Sequence, residues 1–414
     1  MKYGLIGEKL SHSFSKIIHE RIASYNYELK EISKCDMDAF FKNKDFKGIN
    51  VTIPYKEIVI PYLDYVSSEA KKIGAVNTIV NKNGKLYGYN TDYYGLKALI
   101  LKNDIEVKGK ICLVLGSGGT SKTTKCVLND LGASCIYQVS RSKKDGCISY
   151  EEAKTIKEVN IIINATPCGM YPDNEMMIID INDFPSLEAV VDCIYNPLRS
   201  SLIVSANNKG LKNASGLYML VSQAVKSIQI FLGKTIENSI IDKTYKGLLK
   251  EKQNIVLIGM PSSGKSAIGR YISKELNRSI LDTDELIVKR INMPIKDYFN
   301  LYGEKAFREI ETDVIKEVSK LNGVVISTGG GVILSEVNMN LLKQNGLIVF
   351  INRNLALLKP TSSRPLSSDF NSLKKIYEER LPIYKKFSDV EIKNDYDDFS
   401  LASLKLLKYL KEEK

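Results

Sequence analysis

Short apolar runs alternate with longer amphipathic stretches along most of the chain. YGLIG (3–7), FKGINVTIP (46–54), KICLVL (110–115), CIYQVSRS (135–142), VNIIINAT (159–166), LEAVVDCIYN (187–196), NIVLI (254–258) and VVIST (324–328) read as strands. SKIIHERIASY (15–25) and the segment after Asp395 read as amphipathic helices. This alternation predicts an α/β protein whose parallel sheets are covered by helices, with ligands held at the carboxyl ends of the strands. Two glycine-rich loops, within 110–133 and 254–276, each follow an apolar strand and open a helix. They differ in type, so the chain is not a repeat of one domain. Between them TYKGLLKEKQN (244–254) is polar and lysine-rich, and a linker is expected over 244–253.

The chain has 414 residues, 44% of them hydrophobic, enough for about two to four domains. No stretch approaches the ~20 consecutive apolar residues of a membrane helix, and MKYGLIGEKLSHSF is no secretory signal, so a soluble cytoplasmic protein is expected. None of the seven cysteines forms a C-x-x-C pair and there are only two histidines, which argues for reduced thiols and against a zinc site. The net charge of +11 contains no basic run of five or more and no aromatic-interleaved basic stripe. That balance favours anionic small ligands over nucleic acid or membrane as partners.

Gly116-Ser117-Gly118-Gly119-Thr120-Ser121 approximates the dinucleotide loop G-x-G-x-x-G, with Ser121 at the third glycine. Its glycines permit a tight turn and close approach to a pyrophosphate, which the helix N-terminus then receives. A plain glycine turn between strand and helix would look alike. The next strand ends Ser140-Arg141-Ser142-Lys143-Lys144, without the carboxylate that would bind a ribose 2′-hydroxyl. A guanidinium there suits a 2′-phosphate, so NADP(H) is expected rather than NAD.

Polar clusters mark the other strand ends: Ser11-His12-Ser13-Phe14-Ser15, Asn50-Val51-Thr52 with Lys56, Asn77-Thr78, Asn90-Thr91-Asp92 and Tyr195-Asn196-Pro197. Singly, each could be a turn or cap. In order, they resemble the shikimate dehydrogenase family: N-V-T-x-P-x-K at Asn50 to Lys56, A-V-N-T at Ala75 to Thr78, N-T-D-x-x-G at Asn90 to Gly95, G-x-G-G at Gly116 to Gly119, N-A-T at Asn164 to Thr166, Y-N-P at Tyr195 to Pro197 and G-x-x-M-L-x-x-Q at Gly216 to Gln223. Lys9 and Lys16 stand where the family's opening motif has prolines, and Thr123 where a small alanine is common. The resemblance implies that Ser13, Ser15 and Tyr195 hold a substrate carboxylate, and that Thr52, Asn77, Asp92 and Gln223 bind its hydroxyls. It further implies that Lys56 and Asp92 form the catalytic pair. Gly116, Ser117, Gly118, Gly119, Thr120, Ser140, Arg141, Ser142, Thr166 and Gly216 would hold NADP(H). A lysine beside the carbonyl oxygen would stabilise the developing oxyanion and relay a proton, with a carboxylate to orient it.

Gly259-Met260-Pro261-Ser262-Ser263-Gly264-Lys265-Ser266 fits the phosphate loop G-x-x-x-x-G-K-S throughout. Its amides cradle phosphates, Lys265 reaches the β/γ oxygens and Ser266 ligates Mg²⁺. The loop implies a nucleoside triphosphate but no particular acceptor. Acceptor residues follow: Asp282-Thr283-Asp284, read as two carboxylates on one face of a strand; Gly303-Glu304 opening a helix with Phe307, Arg308 and Glu311; Gly329-Gly330-Gly331; Arg364-Pro365-Leu366; and Arg380 with Tyr384. On spacing alone Arg308 could simply pair with Glu304 or Glu311 on the helix surface. The ordered set resembles the shikimate kinase family. By that resemblance Asp284, Arg308, Gly330, Gly331 and Arg380 bind shikimate, Asp282 and Ser266 hold the metal, Asp284 and Lys265 act in catalysis, and Arg364 lies in a lid over ATP.

The two resemblances imply a substrate lobe at 1–98 completed by 217–247, a Rossmann-like NADP lobe at 99–216, and a phosphate-loop kinase domain with a parallel sheet at 254–414. They imply consecutive reactions on one small acid: NADPH-dependent reduction of 3-dehydroshikimate to shikimate, then its phosphorylation by MgATP. An NAD-dependent quinate/shikimate dehydrogenase, a general sugar or nucleotide kinase, and a non-catalytic ligand sensor are the alternatives. The basic tip at Arg141, the Arg308 and Arg380 pair, and the presence of Lys56, Asp92, Lys265 and Asp284 argue against them in turn.

Overall fold

A computed structural model describes residues 1–10, 13–142, 146–359, 369–396 and 398–412. The chain divides into two compact units, Met1–Leu248 and Leu249–Lys414.

The first unit holds two six-stranded sheets. The first runs in the order Tyr27–Glu31, Tyr3–Gly7, Gly48–Val51, Thr78–Lys82, Lys85–Tyr89, Tyr65–Val66. It is mixed rather than wholly parallel, because Thr78–Lys82 pairs antiparallel with both of its neighbours. The reason is local: Asn83 and Gly84 both take positive φ (53° and 84°), the two-residue turn that reverses a hairpin. The second sheet, Lys212–Ser215, Ala189–Asp192, Ile161–Asn164, Ile111–Leu115, Cys135–Val139, Cys147–Ile148, is parallel throughout. Its three central strands, Ile111–Leu115, Ile161–Asn164 and Ala189–Asp192, read as apolar runs because both faces are buried. Cys112, Val114, Ile161, Ile163 and Val191 pack on one side, and Leu113, Leu115, Ile162 and Val190 on the other.

Helices Thr91–Lys102 and Leu217–Leu232 pack so closely that a Cβ on Gly95 would lie 2.6 Å from the Met219 carbonyl. Phe231, near the end of the latter helix, joins Leu5, Tyr27 and Val80 under the first sheet. The boundary between the two units, Leu248/Leu249, falls inside the stretch expected as a linker, but that stretch is not open chain: Ser239–Lys252 is helical, with Thr244 and Leu248 buried. Its lysines mark the solvent face of an amphipathic helix, which polarity alone does not distinguish from a tether.

The second unit is built on a five-stranded parallel sheet, Ile280–Asp282, Val325–Ser327, Asn254–Ile258, Gly346–Asn352, Val390–Lys393. Val256 and Ile258 face one core and Ile255 and Leu257 the other. The terminal segment forms the expected helix, Ser400–Glu412. Among the described residues no helix is long and apolar enough to cross a membrane.

Candidate active sites

In the first unit, the motif residues collect where strands end. Asn90 caps the helix Thr91–Lys102 by accepting from the Tyr93 backbone N–H (3.2 Å). That cap turns Asp92, in the helix's first turn, onto Lys56, whose Nζ lies 2.6 Å from Asp92 Oδ2. Only 14% and 11% of the two side chains is exposed, so little solvent screens the pair. Asn77 Oδ1 accepts from the Thr91 backbone N–H (2.7 Å), and Thr91 Oγ1 donates to Gln223 Oε1 (3.3 Å). Ser13 Oγ accepts from the Ser15 backbone N–H (3.2 Å) and its hydroxyl also bonds Tyr195, whose ring lies 5.4 Å from that of Phe14. Burial pushes the Tyr195 phenol up to about 12, so it remains a neutral donor. Thr52 is half-buried beside Gly7. Ser15, Asp92 and Gln223 thus lie on helices, Thr52 and Asn77 directly flank strands, and Ser13 and Tyr195 lie in the loops beside them, while Ser11 and His12 fall outside the described residues.

A cavity of about 890 Å³ runs beside this cluster. It is lined by Gly116, Ser117, Gly118, Gly119, Thr120, Ser140, Arg141, Ser142 and Thr166, and by Ile53, Pro54 and Lys56 facing them. A Cβ on Gly119 would come within 3.7 Å of Lys56 Cδ, so the glycine loop and the lysine share one space. Ser117 and Ser140 hydroxyls bond each other (3.3 Å), and Arg141 stays exposed at the rim. The site fits a dinucleotide by its own chemistry: bare glycine backbone at a helix start, hydroxyls, and a cation at the second strand tip. Lys143 and Lys144 lie outside the described residues. Gly216 is not among the residues lining this cavity; it caps Leu217–Leu232, its N–H donating to the Ile194 carbonyl (2.9 Å). Two departures from the dehydrogenase pattern are accommodated. Lys16 donates to Glu20 Oε1 (2.8 Å) and to the Tyr27 carbonyl (2.9 Å), and buried Thr123 donates back to the Gly119 carbonyl (3.1 Å).

Sequence reasoning left out much of the buried polar network beneath the substrate cluster. Asn50 accepts from Tyr27 Oη (2.8 Å) and donates to Ser227 Oγ (2.8 Å), and Ser227 in turn bonds Thr78 and Thr91 (3.0 Å each). The available signal was spacing, since Ser227 follows Gln223 by one helical turn and so shares its face.

In the second unit the phosphate loop follows strand Asn254–Ile258, and helix Lys265–Glu275 follows the loop. Lys265 Nζ donates to the carbonyls of Gly259 and Met260, at 2.9 Å each. Ser266 Oγ donates to Asp282 Oδ2 (2.7 Å) and bonds Ser327 Oγ (3.1 Å), so the expected metal residues meet at the ends of adjacent strands. A hydroxyl and a carboxylate side by side fit Mg²⁺, an oxygen-seeking ion completed by water and nucleotide phosphate. Asp282 and Asp284 do not share a strand face. Strand Ile280–Asp282 ends there and Asp282 caps the next helix, accepting from the Asp284 backbone N–H (3.1 Å). The D-T-D spacing encodes a cap and a first-turn acid, not two strand positions.

Asp284 nevertheless reaches the glycine run: a Cβ on Gly329 would lie 2.6 Å from its Oδ1. A Cβ on Gly331 would lie 2.5 Å from Arg308 Nη1, so a side chain there would push the guanidinium from its place. Arg308 donates to Glu311 Oε2 (2.8 Å) and Glu304 Oε1 (3.0 Å), taking both partners that spacing allowed. Burial pushes the Glu311 carboxyl up, opposed by Arg308. Burial also works to lower the Arg308 guanidinium, but Glu311 and Glu304 outweigh it and hold it raised. Arg380 Nη1 donates to the Gly330 carbonyl (3.1 Å), and the buried Tyr384 hydroxyl donates to the same oxygen (2.5 Å). Gly303 (φ 82°, ψ 174°) breaks helix Ile295–Val318, so a new helical segment carrying Arg308 and Glu311 follows it, as expected. Arg364 lies outside the described residues.

Residues 5–79 match the family "Shikimate dehydrogenase substrate binding domain" and residues 261–411 match "Shikimate kinase". The NADP(+)-dependent shikimate dehydrogenase of Clostridium perfringens strain 13 is 39% identical over 264 residues, covering 59% of this chain and 97% of that protein. Shikimate dehydrogenase 1 of Peptoclostridium difficile superposes with a TM-score of 0.57 at 43% identity, over 60% of this chain and 98% of that one. The Thermus thermophilus shikimate 5-dehydrogenase in complex with NADP(H) and shikimate gives 0.54 at 27% identity, over 60% and 99%.

Proposed function

The chain belongs to the shikimate dehydrogenase family and carries a shikimate kinase domain, and from that premise we propose how its two sites act in sequence on one substrate. It is a bifunctional shikimate-pathway enzyme: NADPH-dependent reduction of 3-dehydroshikimate to shikimate, then MgATP-dependent phosphorylation of the 3-hydroxyl. In the first site NADPH supplies a hydride to the ketone carbon. Ser13, Ser15 and Tyr195 hold the substrate carboxylate, and Thr52, Asn77, Asp92 and Gln223 its hydroxyls. Lys56, oriented by Asp92, stabilises the oxyanion and delivers its proton. Such general acid help is worth roughly 10²–10⁴-fold.

In the second site MgATP supplies the phosphoryl group. Arg308 and Arg380 take the shikimate carboxylate, a bidentate match for guanidinium, with Gly330 and Gly331 offering close backbone approach. Asp284 accepts the hydroxyl proton and aims the oxygen. Ser266 and Asp282 hold the metal, and Lys265 with the backbone of 259–266 holds the phosphates. The unpaired state of all seven cysteines suits the reducing cytoplasm in which we place the enzyme.

The observation that carries this reading is the 2.6 Å Lys56–Asp92 pair standing beside the glycine loop. The test supplies the full chain with 3-dehydroshikimate, NADPH and MgATP. Shikimate 3-phosphate should accumulate in step with NADPH consumption. Absence of NADPH oxidation, or oxidation with no phosphorylated product, would overturn the proposal.

A further inference from the structure

Asp192 is fully buried in the parallel sheet of the first unit, at the end of strand Ala189–Asp192, and no step proposed above uses it. It lies opposite Asn164 in the register of the adjacent strand. Oδ1 of Asp192 accepts from Asn164 Nδ2 (3.1 Å) and from the Ile194 backbone N–H (2.9 Å), while Oδ2 accepts from Ser200 Oγ. An ionised carboxylate can only accept, so Asn164 must turn its amino group towards it. The Asn164 carbonyl oxygen is thereby aimed the other way. It takes the Thr166 backbone N–H (3.0 Å) and the Thr166 hydroxyl (2.7 Å), at the wall of the cofactor cavity. On its other side Asp192 pins Ile194, the residue before Tyr195.

We propose that Asp192 is a positioning residue that locks the cofactor-side turn at Thr166 and the substrate-side turn at Tyr195 into one register, through Asn164 and the Ile194 N–H. The inference rests on the functional reading above. Burial pushes this carboxyl up to about 6, opposed by its bonds to Ser200, Ile194 and Asn164, so retaining it has a folding cost that an apolar residue would avoid. The return is geometric: two ligand-contacting turns on different strands share one rigid acceptor, and misplacement of a reacting group by about 1 Å costs up to about a hundredfold.

The test is steady-state kinetics on the full chain. Asp192→Leu should raise KM for both NADPH and 3-dehydroshikimate about tenfold or more. Asp192→Asn should restore most of the loss, because its carbonyl still accepts from Asn164 and Ile194 while its amino group donates to Ser200. Ser200→Ala should lower the melting temperature and leave both KM values unchanged. If Asp192→Leu does not fold, Asn164→Ala reads the same relay and should raise the NADPH KM more than the 3-dehydroshikimate KM. Unchanged KM values in Asp192→Leu, or in Asn164→Ala, overturn the inference. So does a failure of Asp192→Asn to rescue. Wild-type protein that does not oxidise NADPH with 3-dehydroshikimate would instead sink the functional reading, and kinase activity in each preparation reports the state of the second unit.

Discussion

The two sites meet charge in opposite ways. In the first unit the pair proposed to react is already assembled, with Lys56 on Asp92 at 2.6 Å and a closed network of amides and hydroxyls beneath it. In the second unit the cations are engaged with protein groups: Lys265 with two carbonyls of its own loop, Arg308 with two glutamates, Arg380 with a glycine carbonyl. Hydride transfer generates a single oxyanion at a fixed place, and a preset donor serves it without rearrangement. Phosphoryl transfer brings several negative charges with the nucleotide, and cations held meanwhile on backbone carbonyls or on glutamates can exchange those partners when that charge arrives. On the proposed function, preorganisation in one unit and exchange of partners in the other would follow from how much charge each substrate carries in.

The sharpest break in this comparison is to remove each unit's lysine in turn. Lys56→Ala should lower the reduction rate by roughly 10²–10⁴-fold and leave phosphorylation intact, and Lys265→Ala should do the reverse. NADPH oxidation and shikimate phosphorylation measured on the same preparation check both. If either substitution left both activities near wild type, the assignment of that site would be wrong.

Acid should next separate the units by stability. Both histidines lie in the first unit. His19 is fully buried, stacked on Tyr27 at 4.0 Å and bonded to the Tyr25 hydroxyl (2.8 Å), and burial lowers its pKa to about 3. With the folded value below the unfolded one (6.5), the unfolded state takes up the proton first. His19 therefore contributes fully above pH 6.5, and the contribution is lost as pH falls towards 3. Between pH 7 and pH 5 the loss is about 2 kcal/mol. Asp192 works in the opposite sense between about pH 4 and 6 and offsets part of it, since its folded pKa is raised. Calorimetry at the two pH values should show the melting transition that NADPH raises falling in acid, and His19→Gln should flatten that fall. An unchanged pH response in His19→Gln would refute this account.

A smaller effect sharpens the exchange model. Glu311 is 2% exposed and braces Arg308 from below. Glu311→Ala should raise the shikimate KM about tenfold, the scale of one lost charged hydrogen bond, with little change in the ATP KM. Equal effects on both substrates would point to general disruption of the unit. The smallest effect is expected at the exposed cavity rim, where Arg141→Ala should lower the preference for NADPH over NADH by several-fold, on the scale of about 1 kcal/mol for a partly solvated ion pair. A comparison of kcat/KM for the two cofactors decides it.

Much of this is legible along the chain. The phosphate loop, the dinucleotide loop and the strands before them are local features, fixed by glycine at tight turns and by apolar runs that must be buried on both faces. Lys56, Asp92, Arg308 and the glycine triplet stand out because each sits in a short motif, although Lys56 and Asp92 come from different ones. Two expectations fail, and a third is met only in place, for one reason: sequence shows composition, not direction. A lysine-rich stretch reads as a tether, and the units do divide within it, but its lysines are the wet face of helix Ser239–Lys252. The spacing of Asp282 and Asp284 suggests one strand face, but a cap turns the chain between them. Alternating strands and helices suggest a parallel first sheet, but a two-residue turn reverses it.

What the sequence determined by itself was which chemical groups the protein has and the order in which they come, because motif spacing survives any packing. Only the tertiary structure decided which of them touch. Lys56 meets Asp92 across 36 residues, Asn50 meets Ser227 across 177, and Arg380 meets Gly330 across 50. Those distances are closed by sheet register and helix docking, whose free energy comes from buried apolar surface spread over each unit and not from the reactive residues themselves.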